Sequence, residues 1–313
     1  KRKTGHIGGM DIAATASASA RSVGGRDLTL TTADGVTLPA TLFRAEPAGG
    51  GPAVLISAAA AVERRFYRGF AQHLVDQGAR AVLTYDYRGI GASARDRGAG
   101  AYRMQHWGTQ DFPAALAALE AAAGSGPVVG IGHSFGGLAI GLSGLSARFD
   151  RYVMVASLNG WYGRTREPLS VFARMNLLGV PMSRLTGRIP GSIGFGTALA
   201  GPVFRDWARW CRRRDFFFGD PAVPEAARFA DVRLPLLSVG IEDDPWGTPA
   251  AVGALLQRFE NAELSEIWLS PRDAGGPIGH NGFFRRDMQT SLWPVVTDYL
   301  LTGVEPVRPP SPA

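Results

Sequence analysis

Apolar residues fall along this chain in three rhythms. From Asp27 to Thr32 and from Thr37 to Phe43 they alternate with polar residues, and Ala33-Asp34-Gly35 between the runs supplies a turn, so the pair reads as a β-hairpin. Apolar runs follow at Ala53–Ser57, Ala81–Tyr85 and Val128–Ile131, and further strand segments at Arg151–Ala156, Leu236–Gly240 and Leu264–Leu269. Between them the spacing becomes helical: Arg64–Gln77 sets Phe66, Phe70, His73 and Leu74 on one stripe, and Gln110–Ala123, Pro249–Phe259 and Arg285–Leu301 behave likewise. Strands without polar alternation, separated by helices, predict a mostly parallel sheet covered on both faces, an α/β fold.

The third rhythm interrupts the second. Between Gly160 and Ala230 the strand-helix alternation stops, aromatic residues accumulate, and Pro181, Pro190 and Pro202 break the segment into short pieces. A stretch this long and apolar is no plain loop. The expected organisation is a core of residues 25–159 and 231–302 with a helical cap inserted over 160–230. Residues 1–24 read as a disordered arm whose first nine residues resemble an expression leader, and the Pro-rich stretch 303–313 reads as a mobile tail.

Composition narrows the picture. The chain has 313 residues, 45% of them hydrophobic and 19% charged, ordinary for a soluble globular protein. The longest membrane-span candidate, Val128–Leu145, is broken by His133, serines and glycines, so no span is expected. The net charge of +6 is mostly arginine spread along the chain, with three cations in Lys1-Arg2-Lys3. Arg212-Arg213-Arg214 has no aromatic-interleaved basic groove around it and reads as a solvated face, which argues against a nucleic-acid partner. The lone Cys211 permits no internal disulfide, and the cytoplasm is the expected compartment.

The candidate chemistry gathers around Gly132-His133-Ser134-Phe135-Gly136, where an apolar run meets a small-residue helical pattern. Small residues two before and two after a serine let a strand turn directly into a helix and lift the hydroxyl out of the turn. A serine hydroxyl needs a base, and the base needs a carboxylate to fix its tautomer. His280 is the histidine downstream of Ser134, in a glycine-flanked loop after the last predicted strand, whereas His6, His73 and His106 lie upstream and His133 reads as structural. The acid belongs just past Leu236–Gly240. Asp244, which precedes Pro245 in a turn, is preferred there, Asp243 is the alternative and Glu242 is weaker. Asp86 is expected to brace its loop through Arg88. Two backbone amides must receive the developing oxyanion. Phe135 offers one, and Ala59, in Ala58-Ala59-Ala60-Ala61, is the candidate for the other unless that alanine run begins a helix. Trp161, Trp207 and Trp210 are the expected substrate-binding residues of the cap. No metal-ligand or cofactor pattern is present, so none is called for.

These segments, together with Asp86-Tyr87-Arg88-Gly89-Ile90-Gly91-Ala92-Ser93, Asp243-Asp244-Pro245-Trp246 and Gly279-His280-Asn281-Gly282-Phe283-Phe284-Arg285, resemble the α/β-hydrolase superfamily from about Asp27 to Leu301. Within it the chain looks like the serine-aminopeptidase-like and monoglyceride-lipase-like branch, and like a bacterial group of predicted hydrolases with a Trp-Ala-Arg-Trp-Cys segment, here Trp207–Cys211. The resemblance implies Ser134, Asp244 and His280 as a triad, with the Ala59 and Phe135 amides as the oxyanion hole. The usual His-Gly after the third strand is replaced by Ser57-Ala58. The expected activity is hydrolysis of a small-molecule ester or thioester with an apolar part. Transfer of the same acyl group to an amine or alcohol, and ligand binding without catalysis, are the alternatives.

Overall fold

The computed structural model describes residues 25–46 and 48–306. The arm expected over 1–24 and residues 307–313 of the expected tail lie outside the described residues. Eight strands form one sheet: β1 (Gly25–Thr31), β2 (Thr37–Phe43), β3 (Ala53–Ser57), β4 (Ala81–Tyr85), β5 (Val128–His133), β6 (Arg151–Val155), β9 (Pro235–Ile241) and β10 (Glu263–Leu269). A short pair, β7 (Arg188–Ile189) and β8 (Leu199–Ala200), stands apart. Strand order across the sheet is β1-β2-β4-β3-β5-β6-β9-β10, with β1 antiparallel to β2, β2 antiparallel to β4, and every other pair parallel. Every residue of β3, β4 and β5 is buried, whereas β1 on the edge is mostly exposed. That contrast is the physical origin of the two strand rhythms, since central strands have helices on both faces and edge strands meet water.

Helices α1 (Arg68–Asp76), α2 (Phe112–Ala123) and α3 (Phe135–Ser143) cover the N-terminal half. Several run shorter than their periodicity predicts. A 3-10 turn, Arg64–Tyr67, precedes α1, and a π turn, Trp107–Asp111, precedes α2. The helix expected over Arg285–Leu301 spans only Trp293–Thr302, with Pro294 in its first turn, because proline can open a helix but cannot continue one.

The segment between β6 and β9 lies over the ends of the strands that bear the serine turn. It holds α4 (Pro168–Phe172), a π segment (Ala173–Gly179), α5 (Val180–Thr186), the β7–β8 pair, α6 (Gly201–Cys211) and a 3-10 stretch, Pro224–Asp231. Phe229 of that stretch lies where a Cβ on Gly141 of α3 would be 2.6 Å away, so the segment is packed tightly onto the core. Helix α7 (Pro249–Leu256) then links β9 to β10.

One expected contact is corrected. Asp86 does not brace Arg88: its carboxylate accepts from the backbone and guanidinium of Arg64, both at 2.6 Å. Arg88 is almost fully buried, and such a cation needs carboxylates of its own. Asp111 takes its Nε at 2.7 Å, and Asp34 takes Nη1 and Nη2 at 2.6 and 2.9 Å. The Arg88 carbonyl then accepts from Trp107, whose indole meets the Phe135 ring edge-on at 5.0 Å, so this ion cluster supports the residue after Ser134.

Candidate active site

Ser134 sits between β5 and α3 with φ 52° and ψ −113°. This backbone conformation is costly for a non-glycine residue, by about 1–3 kcal/mol, and is held by its surroundings. A Cβ on Gly132 would fall 2.2 Å from the Gly136 carbonyl carbon, and one on Gly136 would fall 2.1 Å from the Ser57 oxygen. Glycine at both positions is therefore a steric requirement. The Ser134 amide donates to the Val155 carbonyl at 2.8 Å, tying the turn to β6.

The loop after β10 brings His280 to the serine, its Nε2 lying 3.0 Å from Ser134 Oγ. Its Nδ1 is 2.7 Å from Asp244 Oδ2, while Asp244 Oδ1 accepts from the Trp246 amide at 2.7 Å. Burial pushes the Asp244 carboxyl upward, but the charge His280 can carry, the bond to its ring and the Gly247 and Trp246 amides outweigh this and hold it below the usual carboxylate range. The neighbouring Asp243 points to a different partner. It accepts from the Ile278 and Gly279 amides, each at 2.9 Å, and so clamps the loop that carries His280.

Behind the histidine lies a buried chain of hydrogen bonds. Tyr67 Oη is 2.8 Å from His133 Nδ1, and His133 Nε2 is 2.8 Å from the His280 carbonyl. Burial, and then the charge on His280, hold His133 down to about 3, so its ring is neutral. Burial drives the Tyr67 phenol far above its ordinary value, so it keeps its proton. The donors then order themselves in one way: Ala59 N–H to Tyr67, Tyr67 O–H to His133 Nδ1, and His133 Nε2–H to the His280 carbonyl.

This chain occupies one expected donor. The Ala59 amide is committed to Tyr67 at 2.9 Å and the residue is buried, so the structure does not bring it to the cavity. Ala60 lines the cavity instead, just before Ala61 turns the backbone with φ 60°. Among the described residues the amides of Ala60 and Phe135 donate to no protein group. For Phe135 this follows from its place at the first residue of a helix.

Ser134 and His280 open into a cavity of about 310 Å³ with a largely apolar wall that includes Met104, Leu138, Phe195, Trp207 and Trp246. Of the three expected tryptophans, only Trp207 reaches it, stacked on Trp246 at 5.9 Å. Trp210 is wholly buried, its indole N–H donating to Asp220 at 2.8 Å. Trp161 lies outside the wall, with the guanidiniums of Arg164 and Arg214 at 5.0 and 5.2 Å from its ring. Trp210 and Trp161 thus leave the expected substrate wall because each is occupied by other contacts. Sequence reasoning did not single out Ala60, Tyr67, Arg174 or Phe195, none of which carries a local motif. Among the described residues no cluster of His, Cys, Asp or Glu could hold a metal ion, and no helix is long and apolar enough to cross a membrane.

A serine on a strained strand-to-helix turn, followed in chain order by a buried acid and a histidine, on a sheet of this strand order, defines the α/β-hydrolase class. The chain belongs to the alpha/beta hydrolase family, whose profile matches residues 49–287. No curated protein matches it in sequence. Among solved structures it is similar to DcsB in complex with its substrate analogue, with a TM-score of 0.60 and 17% identity over 88% of this chain and 98% of that one. An esterase from Exiguobacterium antarcticum is similar at TM-score 0.59 and 14% identity, over 88% of this chain and 99% of the other. A putative aryl esterase from Burkholderia cenocepacia aligns at TM-score 0.57 and 18% identity, over 88% and 97%.

Proposed function

We propose that the protein is a serine hydrolase that cleaves an ester or thioester with an apolar acyl or alcohol part. The observation that carries this reading is the continuous contact from Ser134 Oγ through the His280 ring to Asp244, at 3.0 and 2.7 Å. In this reading His280 Nε2 takes the Ser134 proton as Oγ attacks the carbonyl, and Asp244 stabilises the resulting imidazolium. The Phe135 amide, with Ala60 in place of Ala59, receives the oxyanion. His280 then returns the proton to the leaving group, and a water activated by the same ring releases the acyl group from Ser134. The segment 160–230 acts as the cap, and the apolar wall it shares with the core motivates the substrate preference.

A fluorophosphonate probe tests the assignment. The wild type should label at one site, Ser134→Ala should lose the label, and its hydrolysis of p-nitrophenyl esters should fall by about 10⁴-fold or more. Labelling that survives the substitution would remove Ser134 from the reaction.

A further inference from the structure

The helical run from Pro168 to Thr186 has two apolar faces where a surface helix should have one. Its inward ridge repeats every fourth residue, at Val171, Met175, Gly179 and Ser183, and all four are buried. The opposite ridge, offset by two, carries Leu169, Ala173, Leu177, Pro181 and Leu185, with no polar residue among them. Leu169, Leu177 and Leu185 are 82%, 69% and 87% exposed, and the adjoining Leu178 is 49% exposed. Among the described residues they make up four of the six exposed large hydrophobic residues.

The charge around this ridge has one sign. From residue 168 through residue 205 the sequence contains no aspartate or glutamate, while Arg174, Arg184, Arg188 and Arg205 fall within it. Between 160 and 230 there are eleven arginines against five acidic residues. Among the described residues Arg174 and Arg184 form no ion pair. The same run also reaches the cavity: Arg174 and Phe195 both line it, with the guanidinium 5.7 Å from the Phe195 ring.

We propose that this ridge docks the protein onto an anionic lipid surface, the leucines entering the acyl boundary and the arginines meeting the headgroups. Leucines flanked by long-stemmed cations are the composition that lies in such an interface. A second copy suits the ridge less well, because a two-fold contact would set the arginines of one copy against those of the other with no acid between them. The inference does not depend on the hydrolase reading, although docking here would lay the lipid surface beside the cavity that holds Ser134.

Co-sedimentation of the full chain with vesicles tests it. At low salt the protein should pellet with phosphatidylglycerol vesicles and weakly or not at all with phosphatidylcholine vesicles, and added salt should weaken the binding. Leu177→Ser combined with Leu185→Ser should reduce binding to phosphatidylglycerol at least about tenfold, since both side chains are exposed and their loss leaves the core intact. Arg184→Glu should weaken it too. Circular dichroism spectra and Tm values like those of the wild type would show that these variants are folded. Ser134→Ala protein should bind like the wild type, which separates docking from catalysis. The proposal fails if phosphatidylglycerol vesicles do not bind the wild type, or if the double-serine variant binds equally well. It also fails if the leucines instead drive a dimer, seen by sedimentation velocity, that the double variant abolishes.

Discussion

Two regions of this molecule hold the residues that matter, and they hold them by different means. At the C-terminal end of the sheet, each side chain of the proposed triad follows a strand whose neighbours fix its backbone: Ser134 after β5, Asp244 after β9, His280 after β10. Their mutual distances are consequences of the parallel ladder and of two glycines that admit no side chain. Between β6 and β9 the residues sit on short helices whose rotation depends on what they pack against. Trp207 and Trp210 share one helix, three positions apart, yet one faces the cavity and the other is sealed in the segment's own core. A strand end places a group by topology, whereas a helix places it only through its neighbour's surface.

The largest effect that would break this comparison concerns the two carboxylates of the β9 turn. Asp244 holds the His280 ring and Asp243 holds the loop beneath it, so substitutions at adjacent positions should differ in kind. Asp244→Asn should lower kcat by about 10³- to 10⁴-fold, because the amide favours the wrong imidazole tautomer. Asp243→Ala should cost about 10²-fold through misplacement of the loop. Steady-state kcat on one p-nitrophenyl ester measures both, and the opposite ranking would exchange their roles.

A smaller effect comes from the buried chain behind His280. His133→Asn should lower kcat by about 10- to 100-fold with KM nearly unchanged, since it supports a backbone carbonyl of the reacting loop and touches no substrate. Tyr67→Phe, which removes only a hydroxyl, is the milder companion if the first variant folds poorly. The same histidine gives a pH signature. Its folded value near 3 lies below the ordinary value of 6.5, so between these limits the unfolded chain binds more protons and stability falls as pH drops. Buried His73 and partly buried His106, both lowered chiefly by burial, act in the same direction. Thermal melts at about pH 7 and about pH 4 should therefore converge more for His133→Asn than for the wild type. An equal acid-induced drop in Tm would mean that the His133 ring takes up a proton in place.

What was legible in the sequence divides along the same line. The strands, their parallel pairing and the serine turn could be read because full burial leaves unbroken apolar runs and the turn tolerates only small residues. The Ser134, Asp244 and His280 positions followed from chain order, and the structure brings all three within hydrogen-bonding reach. The amide opposite Phe135 was not legible. That Ala59 gives its N–H to a tyrosine eight residues on, while Ala61 beyond Ala60 turns the backbone with positive φ, is encoded by nothing in four successive alanines. Asp86 and Arg88 looked like partners by proximity, but burial of the guanidinium selects Asp34 and Asp111, which are distant in sequence. Aromatic content pointed to a cavity wall without saying which rings form it.

The smallest expected effect tests whether the two tryptophans of α6 truly differ. Trp210 is fully buried, edge-on to Phe216 and Phe217 at 5.8 and 5.3 Å, so Trp210→Ala should cost about 3–5 kcal/mol of stability. A folded fraction of that variant should keep the wild-type preference among acyl chain lengths. Trp207 is only partly buried, and its exposed surface belongs to the cavity. Trp207→Ala should therefore cost less stability and enlarge the site where it stacks on Trp246. Each methylene buried against such a wall contributes about 0.8 kcal/mol, so the preferred p-nitrophenyl ester should lengthen, with rates for the longer chains rising several-fold relative to the short ones. Probe labelling of Ser134 should persist in both variants. If Trp210→Ala shifts the chain-length profile and Trp207→Ala does not, the cavity wall runs along the other side of α6, and the contrast between the two regions loses its clearest case.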